Sequence, residues 1–425
     1  MNTKNILDFF EEYKEFKPEI IERELKVNIN EKFIISIIGP RRAGKTYYLL
    51  SLRKYFNNPL YLNFEDSRLI GIKYNDLRDI IRLYIENYGE PDILLLDEIQ
   101  NLEGWEIILR ELHDLKKYKI VITGSSSKLL SKEIATQLRG RTLGYLLLPF
   151  SFREYLKAKK FELKYKSLDN ISKLKNLLRE YLEFGGFPDI VLSEEKIKIL
   201  REYSDLILFR DFIERNKIEN IDLARFLHNF VLQNFSNEIS IKSIYDKIRS
   251  LNIKVPREKV YDYIVKLEDT AFFFFLKRFS LKVHLRESWP KKIYLCDTGL
   301  SKIVRFSEDI GKLMENTIFL ELLRNTNINP LIEIYYFKTS NYEIDFLIKE
   351  GNKITKLINV SYVNNFDEID KREIRSLIHG YDLFKEHNPE LIIITWDYED
   401  EKEISWFNKK GKIKFIPLWK WVLNI

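Results

Sequence analysis

Two groups of residues in this chain have types and spacings suited to chemistry. The first is Gly39-Pro40-Arg41-Arg42-Ala43-Gly44-Lys45-Thr46, which follows the apolar run Phe33-Ile34-Ile35-Ser36-Ile37-Ile38 and precedes Tyr47-Tyr48-Leu49-Leu50. This order predicts a strand, a loop and the first turn of a helix. Such a loop wraps a polyphosphate with its backbone N–H groups, so Gly39 and Gly44 are where a Cβ is least welcome. Lys45 reaches the β- and γ-phosphates as a point charge, Thr46 offers a hydroxyl to Mg2+, and the helix directs its positive end at the anion. This is the P-loop pattern. Its eight residues, including Pro40, Arg41, Arg42 and Ala43, are the expected nucleotide-binding set.

The second group is Asp97-Glu98, reached at the end of the unbroken run Ile93-Leu94-Leu95-Leu96. A run of that kind predicts a buried parallel strand that delivers two carboxylates to its C-terminal edge. It fits a Walker B motif, with Asp97 holding Mg2+ through a water and Glu98 orienting and deprotonating the water that attacks the γ-phosphate. A further strand, Lys119-Ile120-Val121-Ile122-Thr123, opens into Gly124-Ser125-Ser126-Ser127, where Ser125 is placed to sense the γ-phosphate or its attacking water. Leu138-Arg139-Gly140-Arg141 precedes a closing strand, Leu143–Leu148. Arg139 and Arg141 are candidate arginine fingers, in this subunit or in a neighbour's site. The expected cofactors are ATP and Mg2+. The expected catalytic set is Lys45, Glu98, Ser125, Arg139 and Arg141, with Thr46 and Asp97 on the metal.

Composition bounds the rest. With 425 residues, three domains are expected at about 100–200 residues each. Hydrophobic residues at 45% and charged residues at 32% exclude a disordered chain. The lone Cys296 excludes an internal disulfide and a cysteine-based metal cluster, and it points to a reducing compartment, with cytoplasm as the expected location. No segment resembles a signal peptide or a membrane span, so no membrane partner is expected. The net charge of +6 is small for this length, and any nucleic-acid surface must be local. The five histidines have no ligand spacing, and no metal site beyond nucleotide-bound Mg2+ is expected.

The ordered set Gly39–Thr46, Leu62-Asn63-Phe64-Glu65-Asp66, Leu96-Asp97-Glu98-Ile99-Gln100, Thr123-Gly124-Ser125-Ser126 and Leu138-Arg139-Gly140-Arg141 resembles the archaeal and bacterial AAA-type ATPases. Leu148-Pro149-Phe150-Ser151-Phe152-Arg153-Glu154-Tyr155 and Phe184-Gly185-Gly186-Phe187-Pro188 resemble hallmarks of the subgroup with a C-terminal domain of unknown function. The resemblance implies an α/β protein: a three-layer AAA+ P-loop domain with a parallel sheet over 1–160, and a helical lid over 161–225. It also implies that Asn63 acts as a switch restraining Glu98. Gly185-Gly186 is expected to act as a hinge between base and lid, with Pro188 stopping the helix.

Farther on, Ile239–Tyr245 and Pro256–Leu267 predict two short helices, followed by the strand Phe272-Phe273-Phe274-Phe275-Leu276. They resemble a winged helix-turn-helix, assigned to 226–290, which can place its second helix in a DNA groove. Lys277, Arg278, Lys282, Arg286, Lys291 and Lys292 form a basic strip suited to phosphates. The remaining 291–425 resembles a restriction-endonuclease-like α/β domain with Asp345 at the first acidic position. An active centre of that type needs a carboxylate and a lysine on the next strand, where this chain has Asn359-Val360-Ser361, so no nuclease activity is expected. Trp396, Trp406, Trp419 and Trp421 are expected as packing residues. Three outputs fit such a chain: an ATPase that repositions its C-terminal region on DNA, an ATP-controlled signalling or scaffold switch acting on protein partners, and a DNA-cleaving enzyme. The expected partners are ATP, DNA through the strip from Lys277 to Lys292, protein partners and further copies of the chain as a homo-oligomer.

Overall fold

Ile34–Ile38 (β1) carries β-branched residues on both faces, and Ile34, Ile35 and Ile37 are fully buried, so the strand lies inside a sheet covered on both sides. Four more strands join it: Pro59–Asn63 (β2), Ile93–Asp97 (β3), Lys119–Gly124 (β4) and Thr142–Leu146 (β5). The order is β2-β3-β4-β1-β5 and every pairing is parallel. Pro59, which cannot donate to a ladder, starts an edge strand. The helices Thr3–Glu15, Lys45–Leu52, Tyr74–Tyr88 and Trp105–Asp114 add Phe9, Leu49, Ile80 and Leu109 to the same apolar core. Register sets Ile38 opposite Gly124 and Leu146, and Asn63 opposite Asp97. The ends of β1, β2, β3 and β4 therefore form one edge, as expected for a P-loop α/β domain.

This computed structural model describes residues 3–124, 138–162, 168–288, 290–305 and 309–425. The chain divides into two units, Met1–Pro149 and Phe150–Ile425. The boundary expected near 160 thus lies earlier, because the helix Phe152–Ala158 packs within the second unit. Ser151 and Glu154 start that helix reciprocally: the Ser151 hydroxyl accepts the Glu154 N–H at 3.1 Å and the Glu154 carboxylate accepts the Ser151 N–H at 2.9 Å.

In the second unit, the helices Ile221–Gln233, Ile241–Ser250 and Arg257–Glu268 accompany a small antiparallel sheet. Its strands are Glu238–Ile239 (β6), Phe273–Lys277 (β7) and Lys291–Leu295 (β8), in the order β6-β8-β7. The boundary expected between 290 and 291 is corrected here, since β8 pairs with β7 and β6 and so belongs with the residues before it. Next come Ile332–Lys338 (β9), Glu343–Glu350 (β10), Lys353–Val360 (β11), Glu390–Thr395 (β12), Asp400–Trp406 (β13) and Lys409–Pro417 (β14). They form a mixed sheet ordered β13-β14-β12-β11-β10-β9. The helices Ile310–Ile328 and Lys371–Leu383 pack with it.

The Gly185-Gly186 pair has a cause other than the expected hinge. Gly185 has φ +78°, and a Cβ there would lie 1.6 Å from the Asp297 carboxylate. The Gly186 N–H donates to Asp297 at 2.6 Å, the Gly299 N–H donates to it at 2.9 Å, and the Gly186 carbonyl accepts the Phe150 N–H at 2.8 Å. Both glycines are required by the close approach of a buried carboxylate and of backbone. Pro188 opens a new short helix, Pro188–Val191, in the position where its missing N–H costs nothing. Burial pushes the Asp297 carboxyl up to about 7, in spite of those N–H donors.

Gly185→Ala is expected to destabilise the chain by more than about 1 kcal/mol, because the added methyl group meets the carboxylate at a strained φ. A lowered midpoint in urea or thermal unfolding checks this. Asp297 also gives a pH prediction. Its folded pKa lies above the ordinary carboxylate range, so the folded state holds its proton more tightly, and this contribution to stability is lost as pH rises through about 7. Asp297→Asn is expected to flatten the fall in melting temperature between about pH 4 and pH 7, the window where the shift acts.

Candidate functional site

At the end of β1 the chain turns sharply, and a Cβ on Gly39 would lie 2.1 Å from the Leu147 carbonyl oxygen. Leu147 continues β5 past its last paired residue and donates its N–H to the Ile38 carbonyl at 2.7 Å. Glycine is thus required at position 39 by the neighbouring strand, a cause that differs from the expected clash inside the phosphate curve. Gly44 meets its own constraint as the N-cap of the helix Lys45–Leu52, with φ 92° in the left-handed region. Arg42 also adopts a positive φ of 67°. Lys45 is buried, and its ammonium donates to the Gly39 carbonyl at 3.2 Å and to the Pro40 carbonyl at 3.0 Å. Pro40 and Ala43 close the loop through the Ala43 N–H to Pro40 carbonyl bond at 3.3 Å. Arg41 reaches outward to Glu65 at 3.4 Å.

Arg23, which lies in no motif, braces this loop from the segment before β1. Its guanidinium donates to the Ala43 carbonyl at 2.9 Å and to the Leu148 carbonyl at 2.5 Å. A single arginine after the apolar pair Ile20-Ile21 is too weak a signal to single it out in the sequence.

Asp97 is fully buried at the tip of β3. Its carboxylate accepts the Thr123 hydroxyl, the Tyr61 hydroxyl at 2.9 Å and the Thr46 hydroxyl. Burial raises its pKa, and the adjacent Glu98 adds to that, while the hydroxyls of Thr123, Thr46 and Tyr61 oppose it. Thr123 works in two directions, because its oxygen also accepts the Glu98 N–H at 3.0 Å. Glu98 has φ 52°, a conformation that residues other than glycine adopt at a cost and that clusters at functional sites. Its carboxylate accepts the Gln100 amide at 2.5 Å. The Gln100 amide oxygen is buried with no hydrogen-bond partner among the described residues.

The switch role expected for Asn63 is not what its contacts serve. The Asn63 side-chain oxygen accepts the Glu65 N–H at 2.9 Å, and Tyr13 hydrogen-bonds the same side chain. Gln100, two positions along the chain and outside any strand, does bond the Glu98 carboxylate.

Lys45, Thr46, Asp97, Glu98 and Thr123 converge on one sheet edge, whereas Arg139 and Arg141 do not join them. Thr142 pairs with Ile34, so these arginines precede the N-terminal end of β5 while the P-loop follows the C-terminal end of β1. A five-residue strand separates the two by about 13 Å. Arg141 binds Asp114 at 2.8 and 3.1 Å, and Arg139 is exposed with φ 50°. The expectation that either serves as a finger in its own subunit is therefore corrected. Ser125 lies outside the described residues.

The second unit holds another group of acids. Asp345 on β10 accepts the Lys292 ammonium at 2.8 Å and the Val360 N–H at 3.0 Å. Asn359, fully buried, accepts the Asp345 N–H at 3.2 Å and donates to Glu373. Burial, with the charge of Asp345 behind it, pushes the Glu373 carboxyl up to about 7. Lys292, expected in an exposed basic strip, is only 3% exposed and is enclosed by carboxylates, so the strip loses it. Lys277 pairs with Glu287; Arg278 and Lys282 are exposed, and Arg286 and Lys291 are half-buried. Among the described residues no group of three or more His, Cys, Asp and Glu is arranged to hold a metal ion. Among them, too, no helix is long and apolar enough to cross a membrane.

The parallel sheet, the P-loop and the Asp97-Glu98 edge define a P-loop α/β domain. Residues 31–156 match the family model described as an AAA domain, and residues 175–308 match one described as a domain of unknown function, DUF8612. The chain belongs to the family of the uncharacterized protein MJ1544 of Methanocaldococcus jannaschii, being 39% identical to it over 99% of this chain and 94% of that protein. An uncharacterized protein of Haemophilus influenzae is 29% identical over 88% of this chain and 91% of its own length. Among solved structures, Cdc6p from Pyrobaculum aerophilum aligns with 68% of this chain and 89% of its own, at 11% identity and a TM-score of 0.27.

Proposed function

We propose that the chain binds ATP with Mg2+ at the C-terminal edge of the first sheet and hydrolyses it. The observation that carries this is the convergence of the Thr46 hydroxyl, the buried Asp97 carboxylate and the Thr123 hydroxyl beside Lys45 and Glu98. Oxygen donors of this kind fit Mg2+, a hard cation that favours a carboxylate or two together with phosphate oxygens. Thr46 and Asp97 would hold the ion, which when bound offsets phosphate charge. Lys45 leaves the carbonyls of Gly39 and Pro40 for the phosphates, and the backbone N–H groups from Gly39 to Thr46 cradle them. Glu98 orients the attacking water and takes its proton. Gln100 is a positioning residue that holds the Glu98 carboxylate until nucleotide is in place. Arg139 or Arg141 could serve only the site of a neighbouring copy, and Ser125 keeps its proposed sensor role.

Output is proposed to pass to the second unit, with 161–225 as a lid and a winged-helix module that extends through β8 to Leu295. Arg278 and Lys282, with the half-buried Lys277, Arg286 and Lys291, support DNA as the partner, since phosphate contacts need accessible cations. A switch acting on protein partners is the second reading, and Leu281 and Val283, exposed beside those cations, favour it. The C-terminal sheet is proposed to cut nothing, because Asn359 and Ser361 stand where a carboxylate and a lysine are needed.

Glu98→Gln is expected to retain ATP binding and to lose turnover by at least about 100-fold, the scale of a lost general base. Lys45→Ala is expected to lose both, and phosphate release alongside nucleotide-binding titration checks the pair. Gln100→Ala is expected to raise basal turnover by up to about tenfold at unchanged KM, as one charge-assisted hydrogen bond is removed from the resting state. ATPase rates with and without duplex DNA, taken while mass is monitored, separate the partners. A DNA-stimulated rate supports the first, and an unresponsive rate with ATP-dependent assembly supports the second.

A further inference from the structure

Lys292 has an environment that neither the nucleotide site nor the basic strip explains. It stands on β8, in the three-stranded sheet, with its ammonium 2.8 Å from Asp345, 3.0 Å from Glu343 and 3.2 Å from Glu315. Asp345 and Glu343 come from β10 of the six-stranded sheet, and Glu315 comes from the helix Ile310–Ile328. An ammonium has three N–H donors and no acceptor, so three carboxylates use its whole capacity. The carboxylates are otherwise held in place. Tyr294 donates to Glu315 at 2.6 Å, the Val360 N–H donates to Asp345 at 3.0 Å, and Lys338 lies 3.0 Å from Glu343. Burial opposes the charge on Lys292, but Asp345 and Glu315 outweigh it and keep the amine protonated.

Carboxylates gathered from two elements around one buried point are the usual surroundings of a divalent cation. Here that point is filled by a cation that the chain itself supplies. We propose that Lys292 is a tethered cation in the place a divalent metal would take among Glu315, Glu343 and Asp345, so that the second unit is complete without metal and accepts one only when Lys292 is removed. An ammonium on a strand costs less to bring in than a free ion, since the fold has already fixed its position. Its single charge and three directional donors bond the carboxylates but leave no open position for a water or a phosphate oxygen. The cluster also joins two sheets and a helix, because Lys292 arrives from one sheet, Glu343 and Asp345 from the other, and Glu315 from the helix.

The test uses the full chain, free of nucleotide, with Mn2+ as the probe in titration calorimetry and thermal shift. Wild type is expected to show no Mn2+ binding that depends on Asp345. Lys292→Ala is expected to gain a bound Mn2+ and a rise in melting temperature with Mn2+, both lost again in Lys292→Ala/Asp345→Asn. If Lys292→Ala is unfolded in metal-free buffer, refolding on addition of Mn2+ is the expected result. Wild-type Mn2+ binding that Asp345→Asn abolishes would overturn the proposal. So would a folded Lys292→Ala chain that gains no Mn2+, or an unfolded one that Mn2+ does not restore.

Discussion

The first unit depends on the parallel contact of β1 with β4 on one side and β5 on the other. Because the strands run together, β1 can end at a sharp turn while the chain of β5 carries on past it to Leu147. The Leu147 N–H takes the last carbonyl of β1, and its own carbonyl crowds position 39 so closely that only glycine fits. The turn in turn starts the helix at Lys45, which brings the Thr46 hydroxyl to Asp97. Neither the loop's shape nor the pairing of Thr46 with Asp97 is a property of the loop sequence alone. Both follow from strand register, and Arg23, with bonds to Ala43 and Leu148, ties the loop to the strand that shapes it.

Buried charge organises the second unit in a comparable way. Asp297 draws the N–H groups of Gly186 and Gly299 around its carboxylate, which joins two segments more than a hundred residues apart. Glu321 binds Arg153 at 2.8 Å and Arg324 at 2.8 Å, and Arg153 donates on to the Val422 carbonyl near the end of the chain. Buried ion pairs of this sort add little net stability, because desolvation offsets much of their attraction. Removing one partner is costly all the same, so they are better understood as fixing which segments meet.

Much of the first unit was legible in the sequence because its signals are local. An apolar run that ends in Gly-x-x-x-x-Gly-Lys-Thr, or in Asp-Glu, states the strand, its burial and the residues at its tip within about ten residues. Contacts across the sheet were not legible. Tyr61 and Thr123 surround Asp97 because β2, β3 and β4 are neighbours, an order that no single segment encodes. Gln100 lay inside a recognised motif, yet its bond to Glu98 depends on the left-handed turn at Glu98. Arg139 and Arg141 looked suitable by type, and register carried them to the edge opposite their own P-loop. Lys292 misled for the same reason: a run of cations along the chain says nothing of which one the fold turns inward.

Asp97 and Asp345 show how one residue type acquires contrasting surroundings. Each stands at a strand and has its oxygens occupied. The partners of Asp97 are the neutral hydroxyls of Thr46, Tyr61 and Thr123. A divalent ion can replace such donors at little cost, since a hydroxyl can turn and become a ligand itself. Asp345 is held by a buried ammonium and a backbone N–H. Displacing that ammonium would leave a charge buried without its partners, a cost of several kcal/mol by general estimates. Burial alone therefore does not make a carboxylate a metal ligand. What decides it is whether the donors around it can yield, and in this chain hydroxyls surround the carboxylate at the end of β3 whereas a buried ammonium holds the one on β10.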